Sequence, residues 1–476
     1  MFDFDSATRR RLGYKIIDRI DEYFASLPQR AVQLPAEERT FGPLHRPLPE
    51  LGEDAEAVLD EITRELVGQG FHVPSANYFG LMNPTPAYMA VLAEALVAAL
   101  NPQLATLARS QLASKIEVET VRWLGERVGW APPFDGTFTS GGGEANFSAL
   151  ALALAWHFPA AIEQGVASIG AQPVLYASTE AHHTMDKSAG LLGIGRTAVR
   201  RVAVNRQLQL DLAALEAAIA ADRRAGHRPF CVAATAGTTS SGAVDDVLAL
   251  SGVCRRENLW LHLDGAYGAA AIFSDRHRHL VRGVELCDSV TIDPHKWLAM
   301  PFAAGAVLTS HPEALERAFS VVTPYMPRDP GAVLPDNSRI SMQWSRRMNS
   351  LKLWLTLRVH GRLAYEEHMD RQLRLAQDFA QWVTDSEEFE LTFGPVLPIV
   401  NFRVQPTTSG RALREEEIDA RNRAVVEAVT RDGRRWISTT RVNGRSVIRM
   451  MVISYLTEER HLAELEESLA AAARAT

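Results

Sequence analysis

Thr291-Ile292-Asp293-Pro294-His295-Lys296-Trp297 is the stretch that decides how this chain is read. Lys296 is the only lysine between Lys187 and Lys352. It stands between a strand-like run (Ser289, Val290, Thr291, Ile292) and the apolar Trp297, Leu298, Ala299 and Met300. A lysine held in a low-dielectric pocket gives up its charge more readily, and the neutral amine is the form that condenses with an aldehyde. A snorkelling surface lysine is the alternative. The flanking segments decide between the two.

Working outward, Trp260-Leu261-His262-Leu263-Asp264-Gly265-Ala266-Tyr267 ends an apolar strand in a carboxylate, which needs a cationic or hydrogen-bonding partner. Phe138-Thr139-Ser140-Gly141-Gly142-Gly143-Glu144-Ala145-Asn146 runs from a strand through three glycines into a helix. Free N–H groups at such a helix start, with no Cβ in the way, form a phosphate cradle. Thr179-Glu180-Ala181-His182-His183-Thr184 sets two histidines after another strand. No third ligand stands at metal spacing, so no metal site is expected. Asn77-Tyr78-Phe79-Gly80-Leu81-Met82-Asn83-Pro84-Thr85-Pro86 is an aromatic and proline-rich loop.

Together these segments resemble, in order along the chain, the motifs of the group II pyridoxal-phosphate decarboxylases, the family of aromatic L-amino acid decarboxylase. The resemblance runs from about Asn77 to Trp354, where Ser350-Leu351-Lys352-Leu353-Trp354 is a further match. It implies a fold-type I α/β architecture and a pyridoxal 5'-phosphate cofactor. By the resemblance, Lys296 carries the pyridoxal aldehyde as a Schiff base and His295 lies near the cofactor. Asp264 keeps the pyridine nitrogen protonated, which makes the ring an electron sink. Ala266 is small enough to let the ring approach. His182 stacks on the ring and serves in proton transfer, with His183 as the alternative if the register slips by one. Gly142 and Gly143 offer their amides to the phosphate, Gly143 standing where a serine is common. Thr239 and Ser289 match cofactor-contacting hydroxyls, and Tyr78, Phe79 and Thr85 are candidates for the substrate side-chain pocket.

One stretch departs from the family pattern. Between Thr323 and Trp344 lies a long segment without periodicity that reads as a lid. In aromatic amino acid decarboxylases the lid carries a tyrosine that protonates the substrate carbon after carbon dioxide leaves. Counting back from Ser350, that position falls on Asn337, and Tyr325 is the only tyrosine of the stretch. An amide does not deliver a proton at neutral pH, so His182 and Tyr325 become the candidate acids.

Composition excludes other classes. The chain has 476 residues, 46% of them hydrophobic, enough for more than one domain. Fifty Lys and Arg against fifty-seven Asp and Glu leave a net charge of −7 with no basic tract, so neither nucleic acid nor an anionic membrane is an expected partner. Cys231, Cys254 and Cys287 are too far apart for a metal motif and fit unpaired thiols in a reducing compartment. Without an apolar leader or a long apolar run, a cytoplasmic location is expected.

The periodicity divides the chain into three parts. Residues 1–82 hold two amphipathic helices, one carrying Leu12, Ile16, Ile20 and Phe24 after an Asp5 or Ser6 cap, the other Leu59, Ile62 and Leu66. Joined by a proline-rich strap, they have little core of their own and are expected to clasp a partner in a homodimer. Residues 83–357 alternate strands at 136–140, 173–178, 198–204, 230–236, 259–263, 289–292 and 304–309 with helices, which reads as a mostly parallel sheet covered on both faces. Such sheets bind ligands beyond the carboxyl ends of their strands. Residues 358–476 read as a small α+β domain. The expected reaction is decarboxylation of an L-amino acid, aromatic or neutral because no second carboxylate clamp is evident, to its amine. Oxidative decarboxylation to an aldehyde, transamination, and a cofactor-binding regulatory protein are the alternatives. Arg449 is either a substrate-carboxylate partner or a structural strand residue.

Overall fold

The strands of the large sheet are short runs, and those in its middle are buried along nearly their whole length, as a sheet covered on both faces requires. In the computed structural model, which describes residues 3–40, 46–321, 335–408 and 411–475, these runs are β1 (Asp135–Thr139), β2 (Pro173–Ser178), β3 (Val199–Val202), β4 (Arg228–Thr235), β5 (Trp260–Asp264), β6 (Ser289–Ile292) and β7 (Gly305–Thr309). They form a seven-stranded sheet in the order β1-β7-β6-β5-β4-β2-β3. The β3-β2-β4-β5-β6 block is parallel, while β7 runs antiparallel to both β6 and β1. The reversal has a simple cause. The β6–β7 connection holds only turns, and a parallel return needs a longer crossover.

Before the sheet come α1 (Ser6–Ser26), α2 (Ala55–Gln69), α3 (Tyr88–Leu100) and α4 (Gln111–Val128). Asp5 caps α1 by accepting from Thr8 N at 2.8 Å, and Gly70 closes α2. The last two helices are additions to the sequence reading, and their buried residues pack beside α11 and β1. Within the sheet region lie α5 (Gly142–His157), α6 (Ala160–Gln164), α7 (Thr184–Leu191), α8 (Leu212–Arg224), α9 (Val247–Glu257) and α10 (Ala314–Phe319).

α11 (Ser350–Asp385) joins the two halves of the molecule and is broken at Gly361, where φ is 73°. Its first half packs on α3 and α4. Its second half supports the strands β8 (Phe389–Phe393) and β9 (Ile399–Val404). After the hairpin β10 (Thr407–Thr408) and β11 (Arg411–Ala412) come α12 (Glu415–Thr430), β12 (Ser438–Val442), β13 (Arg445–Met451) and α13 (Glu459–Ala475). The small sheet has the order β12-β13-β9-β8 and is antiparallel throughout. Among the described residues no helix is long and apolar enough to cross a membrane.

Candidate active site

A cavity of about 340 Å³ opens where β1, β4, β5 and β6 end, and it collects side chains from six separate segments. β1 ends at Thr139, and the chain turns through Ser140 and Gly141 into α5. Gly141 has φ +150°, and a Cβ there would sit 3.0 Å from His295 Cε1. A Cβ on Gly142 would sit 2.7 Å from Asp293 Oδ2. Glycine is therefore required for the loop to lie this close to the segment bearing Lys296. Gly142 and Gly143 occupy the first helical positions, where N–H groups have no acceptor within the helix. Glu144 accepts from Ser140 N at 2.8 Å and from Ser140 Oγ at 2.7 Å, which keeps its carboxylate folded back on the turn.

β5 delivers Asp264, 6% exposed, to the cavity wall. Its Oδ2 accepts from Asn146 Nδ2 at 2.9 Å, and its Oδ1 from Ala266 N at 3.3 Å. The turn after β6 delivers Lys296, whose backbone N donates to Asp293 O at 2.9 Å and whose Nζ lies 3.0 Å from Asp293 Oδ2. The almost fully buried Asp293 is thus its charged neighbour. His295 Nδ1 accepts from Ala304 N at 3.1 Å, which leaves Nε2 facing Asp293 at 3.6 Å. Burial, with help from the Lys296 and Lys352 charges, lowers the His295 pKa against the pull of Asp293.

β2 leads to His182, whose Nδ1 lies 3.1 Å from Thr184 Oγ1. The ring is open to solvent on one side, yet burial against the cavity wall still lowers its pKa, aided by Lys296 and His183 and opposed by Asp264. His183 points away, its side chain 94% exposed beside Asp186. The loop after β4 adds Thr239, and Ala266 and Phe302 complete the wall.

Lys296, Asp264, His182, Gly142 and Gly143 thus meet in one place, with Thr239, Ala266 and His295 beside them. Four expected positions do not. Ser289 is fully buried at the first residue of β6, the end of the strand away from the cavity, and bonds Trp260 and His262 instead. Tyr78 stacks on Trp436 at 5.4 Å, Phe79 belongs to the small-sheet core, and Thr85 Oγ1 is held by Ser454 Oγ at 2.6 Å and Pro74 O at 2.7 Å. Each is spent on joining the N-terminal loop to the small sheet. Met82 is the residue of that loop that reaches the cavity. Asn337 is buried against Ser114, 2.9 Å away, and lines a separate cavity with Leu107 and Ile340. Tyr325 lies outside the described residues. Arg449 donates to Thr239 O at 2.7 Å and to Ser438 Oγ at 3.1 Å, a structural arrangement.

The model of the pyridoxal-dependent decarboxylase conserved domain matches residues 37–405. The chain belongs to the pyridoxal-dependent decarboxylase family. It is 30% identical to an aromatic-L-amino-acid decarboxylase of Bacillus atrophaeus over 96% of this chain and 93% of that one. It is 28% identical to a 4-hydroxyphenylacetaldehyde synthase of Rhodiola rosea, covering 94% and 92%. The crystal structure of Oryza sativa TDC with PLP and tryptamine superposes with a TM-score of 0.93 at 26% identity, covering 100% of this chain and 99% of that one. As a pyridoxal-dependent decarboxylase the chain is a carboxy-lyase that uses pyridoxal phosphate, and the cavity fits that group. Thr235 Oγ1 and Asp293 Oδ1 are buried there without a hydrogen-bond partner among the described residues. Buried polar atoms of this kind call for a polar ligand. The free N–H groups at the start of α5 suit its phosphate, and Asp264 suits its ring nitrogen.

Proposed function

We propose that this enzyme removes the α-carboxylate of an L-amino acid with an aromatic or neutral side chain, releasing carbon dioxide and the amine. The observation that carries this reading is the convergence of Lys296, Asp264 and His182 on one cavity whose remaining walls include Met82 and Phe302. When bound, pyridoxal phosphate supplies the electron sink that takes up the pair left by the departing carboxylate. The residues do the rest. Gly142 and Gly143 would hold the phosphate, Asp264 would hold a proton on the ring nitrogen, and Lys296 would supply the amine for covalent attachment. Met82 and Phe302 give the cavity apolar surface for an uncharged side chain. Among the described residues His182, at the same wall, is the candidate acid for the proton that replaces the carboxylate, with Tyr325, outside them, the alternative, since Asn337 is an amide committed to Ser114.

The active unit is a homodimer on this reading. α1 and α2 bury none of their residues within their own chain, and Ile17, Val58, Ile62 and Leu66 stay exposed on them. A second copy of the chain supplies the missing cover. Three buried, unpaired cysteines support a cytoplasmic location.

Incubation with each of the twenty amino acids, scoring carbon dioxide, amine, ammonia and hydrogen peroxide together, tests the proposal. Carbon dioxide and amine in equal amounts from an aromatic or neutral substrate are expected. Aldehyde, ammonia and peroxide formed with oxygen uptake would replace this reading by oxidative decarboxylation, and turnover of an acidic substrate would overturn the specificity.

A further inference from the structure

A buried polar chain runs beneath the cavity, and none of the roles above uses it. Trp260, His262 and Asp264 alternate along β5 and so share one face, and Ser289 of β6 is paired in register with His262. Both His262 and Ser289 are 0% exposed. Trp260 Nε1 donates to Ser289 Oγ at 2.8 Å, and Ser289 Oγ lies 2.9 Å from His262 Nδ1. His262 Nε2 lies 3.1 Å from Asn146 Oδ1. Asn146 Nδ2 then donates to Asp264 Oδ2 and to Thr184 Oγ1, both at 2.9 Å. Thr184 Oγ1 and Thr184 N lie 3.1 and 3.2 Å from His182 Nδ1.

The donors and acceptors fix a direction. An indole N–H only donates, so Ser289 Oγ accepts from it and its single proton goes to His262 Nδ1, the remaining partner found among the described residues. From the other end, a carboxylate only accepts, so Asn146 turns its amide nitrogen to Asp264 and its oxygen to His262. That oxygen requires a proton on His262 Nε2. The two ends therefore assign the same neutral tautomer to His262 independently. The chain also forks. Thr184 Oγ1 accepts from Asn146, so its hydroxyl and its N–H both point at His182 Nδ1, and the proton of a neutral His182 sits on Nε2.

We propose that His262 and Ser289 are positioning residues for the catalytic Asp264: the donor chain Trp260, Ser289, His262, Asn146 fixes the Asn146 amide with its nitrogen toward Asp264 Oδ2. This rests on the role given above to Asp264. Without the chain, Asn146 is free to rotate and turn its oxygen toward Asp264, an arrangement that favours a protonated carboxyl. Such a carboxyl does not hold a proton on a ring nitrogen. The stretch from Trp260 through Ser289, His262 and Asn146 to Asp264 is buried throughout and acts as a unit, because a flipped member leaves an unpaired polar group.

Long-range ¹H–¹⁵N correlation on the cofactor-free chain, labelled with [¹⁵N]histidine, reads the tautomers without any assay of turnover. Its outcome is therefore separable from the decarboxylase reading. Neutral Nε2–H forms of His262 and His182 are expected. An Nδ1–H or doubly protonated His262 at neutral pH would overturn the proposal. In a uniformly ¹⁵N-labelled His262→Phe variant the Asn146 side-chain amide resonances are expected to move, while His182, whose Nδ1 also accepts from Thr184 N, keeps its Nε2–H form. In the holoenzyme kcat is expected to fall about tenfold or more with KM little changed. Ser289→Ala is expected to show a smaller loss that Ser289→Thr restores. A His262→Phe variant with unchanged Asn146 amide resonances and unchanged kcat, or Ser289→Ala and Ser289→Thr behaving alike, would reduce the chain to a packing device.

Discussion

At the scale of single residues the site depends on three charges held close together. Lys296 Nζ and Asp293 Oδ2 stand 3.0 Å apart, and Asp264 faces the same cavity. No other lysine lines that cavity, so in Lys296→Ala borohydride reduction is expected to leave the intact mass of the chain unchanged, whereas the wild type gains the mass of a pyridoxyl group. A gain in the variant would move the attachment site elsewhere. Asp264→Asn is expected to retain the cofactor covalently and to lose turnover by a factor of about a thousand, since a neutral amide does not support a charged ring nitrogen. Retention of a tenth or so of the rate would make Asp264 a structural cap. His262 adds a pH effect of definite sign. Burial holds its pKa near 4, below its ordinary 6.5, so the unfolded chain binds the extra proton between these values. The stability it contributes is full above about pH 6.5 and is lost as pH falls toward 4, by up to about 3 kcal/mol. Chemical denaturation at pH 7 and pH 5 is expected to show a smaller difference for His262→Phe than for the wild type; an equal difference would assign the acid sensitivity to other groups.

At the scale of elements, Lys352 shows how the site is braced from outside. This almost fully buried amine, at the start of α11, meets Glu94 of α3 at 2.6 Å and the carbonyls of Ala303 at 2.7 Å and Pro301 at 3.2 Å. It pins the turn that carries Phe302 into the cavity. Lys352→Met leaves Glu94 and both carbonyls without this partner and is expected to cost about 3 kcal/mol, measured by denaturant unfolding. A loss well under 1 kcal/mol would show that water replaces the amine readily. The same elements show what the sequence could reveal. Pro173–Ser178 and Ser289–Ile292 were legible to the residue, because short, largely apolar runs between turn residues read as buried strands. The placement of Lys296, Asp264 and His182 was legible too, since each follows a strand. Ser289 was not, because its function depends on which end of β6 faces the cavity, and that is a property of the topology. Tyr78 and Phe79 failed for a related reason: aromatic residues suit a core as well as a pocket, and here the small sheet takes them. His262 did leave a signal, since period-two alternation puts it on the face of Asp264, but its partner Ser289 comes from a neighbouring strand.

At the scale of the whole molecule, the N-terminal segment is anchored after α1 and only partly covered along its helices. Leu27 and Val32 are 0% exposed, Gln33 N donates to Gly433 O at 3.1 Å, and His461 Nε2 reaches Pro28 O at 3.3 Å, so the segment after α1 is docked on the small domain. Tyr23 OH and His72 Nδ1, 3.0 Å apart, and the Lys15 pairs with Glu56 at 3.0 Å and Asp60 at 2.5 Å hold α1 and α2 to their surroundings. Even so, neither helix has a buried residue. Amphipathic helices only partly covered by their own chain fit the proposed cover by a second copy. Leu96 and Leu100 of α3, Leu112 of α4, and Val359 and Leu363 of α11 are likewise exposed. Leu66, 65% exposed at the end of α2, is therefore expected to tolerate a charge within the monomer while weakening association, so Leu66→Glu should lower the dimer fraction in sedimentation without changing the circular dichroism spectrum. Deleting residues 1–70 is the stronger test. It removes the arm with its docked segment and leaves apolar surface bare, so the shortened chain is expected to aggregate and to lose activity. A monodisperse, fully active monomer from that deletion would contradict the homodimer and leave the arm as a monomer's own appendage.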